Sequence, residues 1–477
     1  MLTEHHDLSR DDRLQGELDF LFGRINYERT VDVSYPRHFK LESMRRLLSE
    51  LGDPQEAYEI VHVAGTKGKG SVCRMIGGAL VHAGVRTGVY SSPHIETIRE
   101  RINVDGSPIP ASDLARLLGE LRTTVLRLDV EAECRGWRKN SFFEIITAAA
   151  LLYFRQQNVE QVVLEVGLGG RLDSTNVCQP RLCVITNISI DHTLQLGSTV
   201  DRIAREKAGI IKRHVPVVSG AIDPLAAREI RESSAVGDSP LIELGRDIEY
   251  ELLPAEPGEL VTRFNTSGRL PDGSTYQMND VEVNSPGTHQ IENAALAIAA
   301  LHMQGDGPGK VDEAAIRESL RQFSMIGRCE VLARQPFLVV DMAHNVASVE
   351  ALMTALQSIS RSGRDAAKRV LVFGSSRDKD LPGMLRRLVP EFDKVVFTQF
   401  VKNPRATDPE NLLSCAREVV SNMERSPEMV LAASPDEAWS LGRTDVGLDD
   451  LVCVAGSAFL VAEIRPLIRE WLEPQQG

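Results

Sequence analysis

The chain alternates short apolar runs with stretches whose apolar residues recur every three to four positions, which reads as buried strands alternating with amphipathic helices. Runs at Ile60–Ala64, Thr87–Tyr90, Val162–Val166 and Leu182–Thr186 predict a first series of strands. Runs at Phe337–Asp341, Val370–Phe373, Val395–Thr398 and Leu451–Ala455 predict a second series. Helical spacing follows several of them, as in Val72, Met75, Ile76, Ala79, Leu80 and Ala83. The alternation predicts an α/β fold with mostly parallel sheets. Between the two series, Glu249–Ser285 breaks the rhythm with Pro254, Pro257, Gly258 and the turn Pro271-Asp272-Gly273, and predicts a small β excursion on the first domain. The helical stretches Gln290–Met303 and Asp312–Phe323 flank a glycine-rich loop at 305–309, so the domains are expected at 1–325 and 326–477, with the hinge near Gly327.

The first strand runs into Gly65-Thr66-Lys67-Gly68-Lys69-Gly70-Ser71, and a helix follows. Strand, glycine loop and helix in that order suit a triphosphate. Glycines let backbone N–H groups close around phosphate oxygens, and the helix N-terminus adds partial positive charge. Lys69 can reach the outer phosphates and the Ser71 hydroxyl can ligate Mg2+. The usual loop reads Gly-Lys-Ser, whereas here Gly70 separates Lys69 from Ser71.

Other strand ends carry chemistry too. Leu164-Glu165-Val166-Gly167-Leu168-Gly169-Gly170-Arg171-Leu172-Asp173 puts a carboxylate on an apolar strand just before a second glycine loop. Glu165 there suits a nucleotide-bound Mg2+, or an arginine partner. Asp191 and His192, in a polar loop after the fourth strand, suit a metal or the orienting of a substrate, although a lone histidine is more often structural. Lys207 lies on a charged helical pattern, where solvated charge is the default. Ser91-Ser92-Pro93-His94 follows the second strand, where ligands bind in open α/β sheets, although a surface turn fits as well. Ser141-Phe142-Phe143-Glu144 opens a helix whose apolar face includes Ile145, Ala148, Ala149 and Leu152; its aromatic pair suits either core or the wall of a flat ligand. In the second domain, Asp341-Met342-Ala343-His344-Asn345 leaves a strand in the same way.

Composition narrows the partners. The 477 residues carry a formal net charge of −13, which argues against a general nucleic-acid or anionic-membrane binder but not against small anions. With no basic-then-apolar leader and no membrane-length apolar run, even at Ala294–Leu301, the expected place is the cytoplasm. Seven scattered cysteines, in no close metal-ligand pairs, predict buried free thiols.

Together these segments resemble the folylpolyglutamate synthase/dihydrofolate synthase family of the Mur-ligase superfamily, over most of the chain from about Tyr35. The resemblance implies a P-loop ATPase domain followed by a C-terminal Rossmann-like α/β domain. It implies an ATP-dependent amide ligase that phosphorylates a pterin- or folate-bearing carboxylate, whose acyl phosphate L-glutamate then attacks. Its cofactors would be ATP and Mg2+, with K+ as a further candidate cation. By motif, Lys67, Gly68, Lys69 and Gly70 hold phosphates, and Ser71, Ser92, Glu165, His192 and Lys207 match metal ligands, Lys207 being the lysine carbamylated in the family. Ser141, Phe142, Phe143, Glu144, Leu172, Asp173 and Ser174 match pterin-binding segments. Asn293, Arg328 and Asp341 match nucleotide contacts, and His344 stands where it can orient the phosphoryl group. The family prior is a monomer.

Three positions depart from the pattern. Val346 replaces a common proline, Met342 a glycine, and Lys67 an asparagine. The rival readings are a Mur-type ligase acting on a nucleotide-linked precursor and a nucleotide-switched binding protein.

Overall fold

The computed structural model describes residues 12–26, 41–254, 261–285, 287–305, 310–360, 368–421 and 426–473. Two units result: Met1–Leu253 with Phe264–Val283 and His289–Phe323, and Ser324–Gly477 with Pro254–Arg263 and Asn284–Thr288.

In the first unit, eight strands form one sheet: β1 (Glu59–Ala64), β2 (Thr87–Tyr90), β3 (Ile102–Val104), β4 (Ser107–Pro108), β5 (Gln161–Glu165), β6 (Leu182–Ile185), β7 (Val217–Ser219) and β8 (Leu241–Glu243). Their spatial order is β4-β3-β2-β5-β1-β6-β7-β8. Pairing is parallel from β2 to β8, while β3 and β4 add an antiparallel edge. β1 lies at the centre, with Val63 opposite Glu165 of β5 and Ala64 opposite Ile185 of β6. Every residue of β5 and β6 is buried. Helices therefore cover both faces, and the strands read as unbroken apolar runs. One core joins helices Glu42–Glu50, Ala111–Arg135 and Phe142–Gln156 to β1, β2 and β5. A second lies under helices Val200–Ala208 and Pro224–Val236.

The expected excursion is a three-stranded sheet, β9 (Ile248–Leu252), β10 (Thr262–Arg269) and β11 (Thr275–Val283), in the order β11-β10-β9.

The second unit holds a six-stranded sheet: β12 (Glu330–Arg334), β13 (Phe337–Val340), β14 (Arg369–Phe373), β15 (Lys394–Phe397), β16 (Glu428–Leu431) and β17 (Leu451–Ala455), ordered β12-β13-β17-β14-β15-β16. Only β12 runs antiparallel. Both main sheets are thus doubly wound, as the alternation predicts.

The expected strands all form. β3, β4, β7, β8, β12 and β16 lie outside the predicted set: β3, β4, β7 and β8 have two or three residues each, too few to show a period, and β16 is half exposed. None of the cysteines is in a disulfide; Cys73, Cys178, Cys183 and Cys453 are buried as expected, whereas Cys134 is exposed. Among the described residues, no helix is long and apolar enough to cross a membrane.

Candidate active site

β2, β5, β1 and β6 are parallel neighbours, so the loops leaving their C-terminal ends share one edge of the sheet. The glycine loop follows β1. Gly65 has φ +153°, and a Cβ there would stand 1.8 Å from Thr186 Oγ1. Gly68 has φ +85°, caps helix Lys69–His82, and leaves 2.2 Å between such a Cβ and Asn293 Oδ1. Side chains are excluded at both positions, by conformation and by space.

The loop after β6 braces the P-loop. Thr66 N donates to Asn187 O at 2.8 Å, Thr186 Oγ1 donates to Lys67 O at 2.6 Å, and Thr66 Oγ1 donates to Ser189 O at 3.2 Å. Sequence reasoning had no signal for Thr186, because nothing local marks a hydroxyl that packs on a glycine 121 positions away.

Two lysines converge on one carbonyl. Lys69 Nζ donates to Gly65 O at 3.1 Å, and Lys207 Nζ donates to the same oxygen at 2.7 Å. Lys207 is only 4% exposed, against the default expectation of solvated charge. Burial, reinforced by Lys69, pushes its ammonium down to about 7. Glu165 is 3% exposed, and its carboxylate accepts from Ser92 N at 3.1 Å. Burial raises it to about 7, against the pull of Lys69, that N–H, Arg74 and Arg101. Ser71 is buried on the first turn of the helix. His192 is more than half exposed and 4.0 Å from Asp191; partial burial, with the charges of Lys207 and Lys69 within reach, holds its pKa down against the pull of Asp191. Among the described residues there is no cluster of three or more His, Cys, Asp and Glu side chains set to hold a metal.

The second group of expected residues begins helix Phe142–Gln156. Ser141 and Glu144 form a reciprocal capping box, with Ser141 N donating to Glu144 Oε2 at 2.8 Å and Glu144 N to Ser141 Oγ at 3.4 Å. Arg138 and Ser43 both bond Glu144 Oε1, so this carboxylate is consumed within the protein. The aromatic pair divides. Phe142 is fully buried between Phe22 and the Arg101 guanidinium, which corrects its assignment to the ligand wall: no part of the ring is open to a ligand. Phe143 keeps exposed surface and lies against Gly167, where a Cβ would come within 2.4 Å of its Cζ. Asp173, buried, accepts from Thr175 N and Leu168 N at 3.0 and 2.9 Å; Leu172 and Ser174 beside it are half-buried.

In the second unit, Asp341 follows β13. Its two oxygens accept from Cys329 N and Ala343 N, both at 2.6 Å, and burial raises its pKa against these bonds and Arg328. Arg328 is exposed. His344 Nδ1 donates to Met342 O at 2.9 Å, which sets the orientation of the ring. The departures are absorbed locally. Met342 packs on Gly327, and Val346 is the first residue of helix Val346–Ser360, where proline would also fit.

A glycine loop after the central strand of a doubly wound sheet is a nucleotide-binding arrangement, and the family matches place the chain among the Mur-type ligases. The Mur ligase middle domain matches residues 63–301, and the Mur ligase glutamate ligase domain matches 327–458. The chain is 34% identical to the dihydrofolate synthase/folylpolyglutamate synthase of Bacillus subtilis, over 90% of this chain and 95% of that protein. The folylpolyglutamate synthase of Thermotoga maritima superposes with a TM-score of 0.80 at 30% identity, covering 96% of each chain. Escherichia coli FolC in complex with DHPP and ADP superposes with a TM-score of 0.75 at 27% identity, covering 96% and 98%. The chain belongs to the folylpolyglutamate/dihydrofolate synthase family, whose members are ATP-dependent glutamate ligases.

Proposed function

We propose that this chain joins L-glutamate to a pterin-bearing carboxylate, dihydropteroate or a reduced folate, at the expense of ATP. The observation that carries this reading is the convergence of buried Glu165 and Lys207 on the P-loop edge, with Phe143 against the next glycine loop.

The triphosphate lies along the loop Lys67–Ser71, where backbone N–H groups and the start of helix Lys69–His82 face negative charge. The acceptor carboxylate attacks the γ-phosphorus; the bond to the bridging oxygen breaks and ADP leaves. The glutamate amine then attacks the acyl phosphate, forming the amide and releasing phosphate. Charge develops on phosphoryl oxygens throughout, so a fixed cation at Lys69 stabilises both steps. Asn293, Arg328 and Asp341 serve as nucleotide contacts, and His344 orients the transferred group. Ser141, Phe143, Leu172, Asp173 and Ser174 form the pterin side.

The donor set fits Mg2+: Glu165 is a desolvated carboxylate, and Ser71 and Ser92 add hard oxygens. When bound, Mg2+ neutralises phosphate charge. Glu165, Ser71 and Ser92 would hold it, with His192 as a further ligand. Lys207, neutral in part at pH 7, can add CO2 with loss of a proton, and the carbamate replaces a cation with an oxygen ligand. A monomer in the cytoplasm, without nucleic-acid or membrane partners, completes the reading.

The test is phosphate release from Mg-ATP with L-glutamate, offering dihydropteroate and tetrahydrofolate separately. Release that requires both glutamate and a pterin supports the proposal, and the accepted pterin fixes the activity. Release that requires neither rejects it.

A further inference from the structure

Four buried side chains, His62 of β1 with Asp173, Thr175 and Cys178 in and beside the turn Ser174–Val177, make a hydrogen-bonded row. Thr175 Oγ1 lies 2.5 Å from Asp173 Oδ1, His62 Nε2 lies 2.8 Å from Thr175 Oγ1, and Cys178 Sγ lies 3.7 Å from His62 Nδ1. His62 and Thr175 have no exposed surface. The protons in this row can be placed by elimination. An ionised carboxylate only accepts, so the Thr175 hydroxyl spends its single proton on Asp173. The Thr175 oxygen must then accept from His62, which fixes the ring as the Nε2–H tautomer. His62 Nδ1 is left as acceptor for the Cys178 thiol.

Burial, with Lys212 nearby, pushes the His62 imidazolium down to about 3, so the ring stays neutral and the row keeps one direction. At its far end Asp173 organises its own loop: Oδ1 also accepts from Thr175 N at 3.0 Å, and Oδ2 accepts from Leu168 N at 2.9 Å. The loop it shapes starts at Gly167, against Phe143. No other role in the proposed reaction reaches His62, which is sealed inside the central strand.

We infer that His62 and Thr175 are positioning residues, which fix the Asp173 carboxylate and through it the loop Leu168–Ser174 that receives the pterin end of the acceptor. This rests on the reading of that loop as the pterin side.

The test compares paired variants by steady-state kinetics, with KM measured separately for the pterin acceptor, ATP and glutamate. His62→Met and Thr175→Val keep volume but lose the donor; His62→Gln and Thr175→Ser keep one. Thr175→Val should raise the KM for the pterin roughly ten- to hundredfold, as expected for a lost bond to a charged group, and His62→Met roughly five- to tenfold, since its lost bond is to a neutral hydroxyl, with KM for ATP within about twofold in both. The donor-keeping variants should stay within about threefold of the wild type. Should His62→Met fail to fold, Thr175→Val and Thr175→Ser decide. An unchanged pterin KM, or equal rises in all three constants, overturns the inference. A wild type that uses no pterin acceptor at all overturns the functional reading, and the inference with it.

Discussion

Arg465, on helix Ala458–Leu472, reaches Glu330 of β12 through bonds of 2.7 and 2.9 Å, with both side chains under 10% exposed. Glu330 Oε2 also accepts from Gly327 N at 2.9 Å, and Cys329 N is held by Asp341. The pair therefore anchors the turn that presents Arg328. Two unit charges about 4 Å apart attract by about 4 kcal/mol at an effective dielectric near 20. Truncating one member of a buried pair costs about 3–5 kcal/mol, mostly because the other charge is left without its partner. Arg465→Met should thus destabilise the second unit by about 4 kcal/mol. With a urea slope of about 2 kcal/mol per molar, the midpoint falls by about 2 M. Trp439 and Trp471 meet edge to face at 5.8 Å within this unit, and Trp137→Phe removes the third tryptophan of the chain, so fluorescence reports on the second unit alone. Glu330→Met combined with Arg465→Met should regain part of the loss, since no buried charge of the pair remains although Gly327 N loses its acceptor. A shift below about 0.5 M for the single variant, or a double variant no more stable than the single, would refute the reasoning.

Lys69→Ala should abolish phosphate release; near-wild-type turnover would reject the proposed phosphate site. Glu165→Ala should raise the Mg2+ concentration needed for half-maximal rate about tenfold or more, as loss of a charged ligand implies, and an unchanged titration would remove Glu165 from the metal shell. Gly65→Ala sets a Cβ 1.8 Å from Thr186 Oγ1 and should weaken ATP binding, measured by calorimetry; adding Thr186→Ala should restore part of it, and no restoration would place the defect elsewhere. Lys207 reacts with CO2 only when neutral, and its ammonium is held down to about 7. A 13C carbamate signal from labelled bicarbonate should therefore grow as pH rises through 7, and be missing from Lys207→Met. A signal that ignores pH between 6 and 8 would contradict that value.

Residues that act through local geometry were legible without coordinates. Gly65 and Gly68 announce a loop between strand and helix, and both adopt positive φ. Glu165 ends an apolar strand before a glycine loop. Ser141 and Glu144 carry the spacing of a capping box, although their pairing shows that Glu144 serves the helix start. Phe142 and Phe143 were indistinguishable in sequence. One faces the core and the other the Gly167 loop, because successive side chains on a helix point about a quarter-turn apart.

The sequence by itself determined the alternation of strand and helix, the glycine loop after the first strand and the carboxylate at the end of a later one, since each depends on neighbours within a few residues. Only the tertiary structure decided which charges leave water. Lys207 reads as a surface lysine until β1 and β6 bring Gly65 beneath it, 142 positions away. His62 is one histidine on an apolar strand until Thr175, 113 positions on, accepts from its Nε2–H. Parallel strands pair residues far apart in the chain. The burial that moves a pKa, or fixes a tautomer, belongs to that pairing and not to any local segment.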